Sequence, residues 1–578
     1  MKQLLTGNEA VAHGAWEAGV HVVAAYPGTP STEITENAAK YKEIYAEWAP
    51  NEKVAMEVGI GAAIGGGRAL VAMKHVGVNV AMDPLMTVAF SGINRGLVFV
   101  SADDPGMHSS QNEQDNRNLG IFAKIPIFEP SDSAECLEFT KMAFELSEEF
   151  DTPVMLRLTT RVAHSQSLVE KGERQEVAPN NFEENPQKFV MIPAHARPRH
   201  HIAEERLVKL SKYVETSPLN REEINDKKIG VIVSGIVYEY VKEALPQASI
   251  LKLGISNPLP KEMIKDFAKK VETLYVIEEL DSIIEDQCRA MGLNVHGKDI
   301  FSREGEIFPE IIAEKILGIK TTPAYKYDKE LPMRPPVLCA GCPHRGTFHV
   351  LKKAKCRVIG DIGCYTLGCS PPLQAVDTTI CMGAGIGMAM GMEKVHGEEF
   401  AEHTVSVIGD STFMHSGITG LVDMVYNKGV GTVIILDNSI TAMTGHQQNP
   451  LTGFTVKNEP TKKIDLELLV KGLGIDRVSV VDPFDVKGFK EILKVELKAK
   501  EPSVIIARRP CALLIKTVTD PMYIEADRCL KCGSCLKIGC PAIEKTGDVP
   551  IIHGDQCVGC GLCLNICPHG VIRKDGGE

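Results

Sequence analysis

The amino-acid sequence predicts an α/β protein built on doubly wound parallel sheets and followed by a cysteine-rich module. Strand-length apolar runs such as "VHVVAAY", "GLVFVSADD" and "TPVMLRLTT" are separated by helix-length stretches, the spacing of parallel strands joined by crossovers. The alternation resumes twice, in "KIGVIVSG" with "ETLYVIEE" and again in "HTVSVIGDS". Two dense cysteine runs come last, "CLKCGSCLKIGCP" from Cys529 to Pro541 and "CVGCGLCLNICP" from Cys557 to Pro568.

Taken in order, residues 1–165 form a first α/β domain, and the polar, proline-rich stretch 166–225, with "RQEVAPNNFEENPQ" and "IPAHARPRHH", reads as a connection over the surface. Residues 226–330 form a middle α/β domain, residues 335–515 a third one after the proline-broken "KELPMRPPV", and residues 516–578 the cysteine module. A chain of 578 residues has room for about four such domains. Hydrophobic residues at 44% and charged residues at 24% are ordinary for a soluble globular protein. The formal net charge of -12 argues against nucleic acid or an anionic membrane as the main partner. No signal peptide is read in "MKQLLTGNEAVAHGAWEAG", and no apolar run reaches the roughly 18 residues of a spanning helix. Seventeen cysteines clustered by motif then suggest a reducing compartment, the cytoplasm, where thiolates serve metals instead of disulfides.

The cysteine runs are the most specific signal. Cys-x2-Cys-x2-Cys sets three soft thiolates on one tight loop, and in tandem runs the fourth cysteine, the one followed by proline, ligates the other cluster. Cys529, Cys532, Cys535 and Cys567 then hold one [4Fe-4S] cluster, and Cys557, Cys560, Cys563 and Cys540 a second. Paired zinc knuckles do not have this spacing. Four residues, "LKIG", precede Cys540 where three are usual, which leaves an altered cluster such as [3Fe-4S] open for the first run.

In the third domain, "SVIGDST" and "IILDNSI" put Asp410 and Asn438 just past two strand ends, where open α/β sheets bind ligands. A hard cation on a diphosphate wants a carboxylate, a neutral side-chain oxygen and a backbone carbonyl, roles that Asp410, the Asn438 amide and the Ile440 carbonyl fit. The stretch resembles the thiamin-diphosphate signature, with "GDS" and "DN" in place of its usual Gly-Asp-Gly and Asn-Asn. Upstream, "CMGAGIGMAMGMEK" is a glycine-rich helix suited to close approach, of a cofactor or of a neighbouring backbone.

With "AYPGTPSTE" near the start, "CAGCPHRG" and "GDIGCYTLGC" before the metal motif and "MTGHQ" after it, the order of segments resembles the large (alpha) subunits of indolepyruvate ferredoxin oxidoreductases over essentially the whole chain. The resemblance implies oxidative decarboxylation of an aryl 2-oxo acid, typically indolepyruvate, with coenzyme A as acyl acceptor and ferredoxin as electron acceptor. It implies thiamin diphosphate, Mg2+ and two [4Fe-4S] clusters as cofactors. A separate smaller beta subunit, in a two-alpha, two-beta assembly, stands for the family's small α/β domain, and two alpha chains are expected to pair. The first domain becomes pyrimidine-binding in type and the middle one similar to the transketolase C-terminal domain. The glutamate that activates the cofactor maps to Glu52 in "NEKVAMEVGIGAA", with Glu57 as the alternative. Thr29 in "YPGTPS" becomes a substrate contact, and Arg117 in "SSQNEQDNRNLG" the carboxylate-binding arginine. Cys339, Cys342, Cys364 and Cys511 occupy positions where related pyruvate oxidoreductases hold a third, proximal cluster, which stays open here, while His75, His108, His344, His415 and His446 lie in or near the motifs with no role assigned. The same chemistry on pyruvate or phenylglyoxylate, and a non-catalytic electron-transfer subunit, remain the other readings.

Overall fold

The computed structural model describes residues 2–182, 184–320, 329–515 and 519–574. The chain divides into two compact units, 1–328 and 329–578. The expected boundary at residue 516 lies outside the described residues.

The first unit is organised by a seven-stranded sheet in the order Ile255–Asn257, Ile127–Phe128, Val154–Thr159, Leu97–Asp103, Ala69–Lys74, Val22–Ala25, Tyr45–Trp48. Every pairing is parallel except that of Ile255–Asn257 with Ile127–Phe128. Its central strands are buried along their full length, as helices on both faces of a parallel sheet require. The helix Glu52–Ile64 starts where the Asn51 side chain accepts the Val54 N–H at 2.9 Å. It presses on the sheet through Gly59, where a methyl would stand 2.3 Å from Val71 Cγ2. A second sheet, Thr273–Ile277, Asp226–Ser234, Ala248–Leu253 and Arg221–Glu223, builds the middle domain.

The stretch expected to be a plain connection carries structure of its own. Gln166–Glu170 pairs antiparallel with Lys2–Thr6, and Pro193–Tyr213 is a helix of 21 residues. Its prolines sit at the first position, where no N–H is needed, and at Pro198. Burial of Ala203, Arg206 and Leu210 holds it down, a face that its polar composition conceals.

The second unit carries a wholly parallel five-stranded sheet, Arg357–Ile359, Thr404–Gly409, Thr432–Asp437, Ser503–Arg508, Arg477–Val481. Its cysteine module is small, with two antiparallel pairs, Met522–Ile524 with Ile572–Lys574 and Ile543–Glu544 with Ile551–Ile552. Cysteines and aliphatic residues share its core. Among the described residues no helix is long and apolar enough to cross a membrane.

Candidate functional site

The strands Thr404–Gly409 and Thr432–Asp437 lie side by side in register, so the residues that follow them emerge together at one edge of the sheet. Asp410, Asn438 and Ile440 are all buried there. Ser439 takes φ 62°, an uncommon conformation for a residue other than glycine, and with it the chain turns directly after the strand. One end of the Asn438 amide lies 2.8 Å from the Ile440 carbonyl oxygen and 3.3 Å from Asp410 Oδ1. That end can be nitrogen or oxygen by a half-turn of the amide. As nitrogen it donates to both; as oxygen it stands beside two other oxygens, a grouping that a cation would stabilise. Neighbouring ligands of a Mg2+ octahedron stand about 2.9 Å apart, so the spacing suits that ion. Asp410 Oδ1 also accepts the Ser411 N–H at 2.7 Å, whereas Oδ2 is buried with no hydrogen-bond partner among the described residues. Burial, then the charge of Asp437, pushes the Asp410 carboxyl up to about 8. A cation bound there would supply the missing partner for that carboxylate.

The glycine-rich helix Ala384–His396 begins beside this edge of the sheet. Gly383 N–H donates to Asp361 Oδ1 at 2.8 Å, and a methyl on Gly385 would stand 2.9 Å from the Gly360 carbonyl oxygen, so this glycine serves helix–strand packing. Gly387 and Gly391 face open space.

The eight cysteines of the module divide between two cavities. One is lined by Cys540, Cys557, Cys560 and Cys563, together with Gly341 and Arg345. The other is lined by Cys529, Cys532, Cys535 and Cys567. No three His, Cys, Asp or Glu side chains among the described residues converge on a single ion; the thiols stand around wider spaces. Each cavity takes its fourth cysteine from the other run, the grouping that the spacing predicts. Cys339, Cys342, Cys364 and Cys511 form a third group. Burial first, with Cys364 and Cys339 adding to it, pushes Cys342 up to about 12, and burial with Cys511 and Cys339 pushes Cys364 up to about 11. This group lies close to both neighbours: the Cys511 N–H donates to the Asn438 carbonyl at 2.9 Å, and a methyl on Gly341 would stand 3.6 Å from Cys560 Cβ. Gly341, at φ 73°, admits no side chain because Val558 would be struck at 2.6 Å.

In the first unit the two candidate glutamates differ in kind. Glu52 is the first residue of its helix, buried at 5% exposure, and packs against Gly77, where a methyl would meet Glu52 Oε1 at 2.7 Å. Glu57 points outward and pairs with Lys53, both about half exposed. Thr29 is half-buried on the loop after Val22–Ala25, and its carbonyl accepts from Ser109 Oγ at 3.4 Å.

Arg117 is a correction. It is 1% exposed and locked between Asp115 Oδ2 at 2.5 Å and Glu278 Oε2 at 2.7 Å, with the carbonyls of Glu279 and Asp281 at 3.1 and 3.2 Å. Two carboxylates already use its fork, so it ties the first domain to the middle one and is not presented to a substrate. The sequence reading passed over a different cation, Lys74, at the end of the strand Ala69–Lys74. It is 9% exposed, lies against Gly28 beside Thr29, and donates to the Ser109 carbonyl at 2.6 Å, with burial pulling its pKa down to about 8. A lysine closing an apolar strand was the available signal.

The histidines scatter. His75 Nε2 sits 3.1 Å from Asn112 Oδ1, His108 meets Glu306 at 2.9 Å, and His415 Nδ1 meets Ser416 Oγ at 2.9 Å. Burial pulls His344 down to about 4, and His446 holds φ 68° on the loop after Ile440.

Comparison with known proteins gives three family matches: "Pyruvate flavodoxin/ferredoxin oxidoreductase, thiamine diP-bdg" over residues 13–227, "Thiamine pyrophosphate enzyme, C-terminal TPP binding domain" over 361–507, and "4Fe-4S binding domain" over 550–573. The last takes in the second cysteine run only. The chain is 41% identical to the indolepyruvate oxidoreductase subunit IorA of Archaeoglobus fulgidus, covering 99% of this chain and 97% of that one. It is 42% identical to the protein of that name from Pyrococcus horikoshii, over 94% and 92%, and 39% identical to that from Methanothermobacter marburgensis, over 99% and 97%.

Proposed function

Because this chain belongs to the family of indolepyruvate oxidoreductase IorA subunits, we propose that it converts an aryl 2-oxo acid, coenzyme A and oxidised ferredoxin to the arylacetyl-CoA, carbon dioxide and reduced ferredoxin. Its class is the thiamin-diphosphate-dependent 2-oxoacid:ferredoxin oxidoreductases. Thiamin diphosphate, when bound, supplies the centre at which a 2-oxo acid loses carbon dioxide and gives up two electrons. The observation that carries the reading is that one end of the Asn438 amide lies 2.8 Å from the Ile440 carbonyl oxygen and 3.3 Å from Asp410 Oδ1, next to a buried Asp410 oxygen with no partner among the described residues. These three hold Mg2+ and, through it, the diphosphate.

Glu52 is the carboxylate for the pyrimidine ring. Its burial keeps the carboxylate out of bulk water, where a hydrogen bond to a ring nitrogen is stronger, whereas Glu57 is engaged at the surface. Thr29 and Lys74 face the 2-oxo acid, the amine taking its carboxylate. Cys557, Cys560, Cys563 and Cys540 hold one [4Fe-4S] cluster, and Cys529, Cys532, Cys535 and Cys567 the other. Cys339, Cys342, Cys364 and Cys511 hold a third, nearest the metal; their mutual proximity favours it. Electrons accepted one at a time pass through these sets to ferredoxin. The smaller subunit completes a two-alpha, two-beta assembly.

The test is an inventory of the anaerobically purified complex, followed by turnover of indolepyruvate, phenylpyruvate and pyruvate with coenzyme A and an acceptor dye. Thiamin diphosphate, magnesium and iron are expected together, with the aryl acids preferred. Iron and sulfide without thiamin diphosphate or magnesium leave an electron-transfer subunit instead. Glu52→Gln lowers kcat by about 10²–10⁴-fold, the range for a positioned acid–base group, and Glu57→Gln leaves it unchanged; the reverse pattern exchanges their roles.

A further inference from the structure

Arg345 follows the "CAGCPH" segment and is 3% exposed. A buried guanidinium ordinarily has a carboxylate beside it. Among the described residues this one has none as a hydrogen-bond partner; its partners there are main-chain carbonyls. Nε donates to Cys339 at 2.9 Å, Nη1 to Ile538 at 2.9 Å and Gly539 at 2.5 Å, and Nη2 to Leu338. The side chain therefore joins the loop of Cys339 and Cys342 to the turn just before Cys540. It lines the cavity of Cys540, Cys557, Cys560 and Cys563; burial pulls the guanidinium below its ordinary pKa, and the nearby cysteines Cys540, Cys342, Cys339 and Cys560 act against that. Among the described residues the cavity of Cys529, Cys532, Cys535 and Cys567 has no arginine or lysine in its lining, which does include His569; a nearby cation, Lys531, is about half exposed and paired with Asp548.

We infer that Arg345 is the resident counter-cation of the cluster held by Cys540, Cys557, Cys560 and Cys563, and that its buried charge raises the reduction potential of that cluster selectively. The inference rests on the assignment of that cluster under the proposed function. Each one-electron reduction adds a negative charge to a core already surrounded by thiolates. The electron comes from the decarboxylated 2-oxo acid and leaves to ferredoxin, so no further reactant is involved. A fixed positive charge stabilises the reduced form more than the oxidised one, and far from water it is poorly screened. Net charge and hydrogen bonding around a cluster set its potential, and here both come from one side chain on the "CAGC" loop. Because it also reaches the Cys339 and Cys342 loop, Arg345 makes this cluster the favoured receiver of electrons arriving from that side. Arg345 is a positioning and poising residue and touches no substrate.

The experiment is an EPR-monitored redox titration of the full complex, with iron and sulfide counted for each sample, on the unaltered protein, Arg345→Gln and Arg345→Lys. In Arg345→Gln the midpoint of one cluster is expected to fall by at least the equivalent of a tenfold change in its reduction equilibrium, 59 mV for one electron. The midpoint of the cluster held by Cys529, Cys532, Cys535 and Cys567 stays in place. Arg345→Lys keeps the charge and is expected to keep the midpoints of the unaltered protein, although it cannot reach both loops. Unchanged midpoints in a fully loaded Arg345→Gln overturn the inference. Should the Gln variant lose iron, the Lys variant decides: a loaded Lys variant with its midpoints kept supports the charge effect, and one whose midpoint falls overturns it. An unaltered complex lacking iron at these cysteines overturns the cluster assignment itself, an outcome distinct from loaded clusters with unmoved potentials.

Discussion

Arg117 in the first unit and Arg345 in the second are both almost wholly removed from water, and their surroundings are opposite. Asp115 and Glu278 neutralise Arg117 in place, with two carbonyls taking up further donors. Among the described residues Arg345 has carbonyls and nearby sulfurs. The acids repeat the contrast: Glu278 accepts from Arg117 and from the Ile284 and Glu285 amides, whereas Asp410 keeps one oxygen with no partner among the described residues. Taking an ion out of water is costly, so a buried charge that the chain completes by itself reads as architecture. One that the chain leaves incomplete marks where something else binds.

The contrast can be broken, beginning where the effect is largest. Asp410→Asn removes the incomplete charge. It is expected to abolish magnesium and thiamin diphosphate retention while iron content stays, and the metal-free chain keeps or gains thermal stability, because the carboxyl it loses was held near 8 by burial and Asp437. Calorimetry in a chelator checks this; a loss of more than about 1 kcal/mol means the carboxylate was satisfied after all. Arg117→Met removes the complete charge, stranding two buried carboxylates, and is expected to cost ~3–5 kcal/mol of stability with little change in KM. A raised KM at an unmoved melting temperature would return Arg117 to the substrate. Lys74→Met tests the cation beside Thr29: KM for the 2-oxo acid rises about 10- to 100-fold, the worth of one charge-assisted hydrogen bond, while thiamin content holds. If KM is unmoved, Lys74 serves only the Ser109 loop. Smallest of all, Lys53→Ala breaks a surface pair with Glu57, and no measurable change in melting or turnover is expected.

Much of this was readable from residue order, for reasons that are local. Parallel strands buried on both faces show as unbroken apolar runs, and "VSVIG" and "VIILD" sit where those runs fall. Asp410 and Asn438 follow such strands directly, so their convergence needs only that the strands be neighbours. The cysteines group as tandem spacing requires. What escaped was non-local or carried by the backbone. Glu278, which decides the fate of Arg117, is 161 residues away. Ile255–Asn257 leaves its own domain's sheet to edge the first one, a choice no local pattern encodes. Pro193–Tyr213 hides a helix under a composition of turn and charge. The partners of Arg345 are carbonyls, which every residue has, so no residue type announces them.

Cys540 and Cys567 each cross to the cavity of the other run. If each cavity holds a [4Fe-4S] cluster as proposed, a cysteine run folded alone would own only three of its four sulfurs, and losing either cluster would free a thiol carried by the neighbour's loop. On that assignment, maturation of this tail under scarce iron should be all or none.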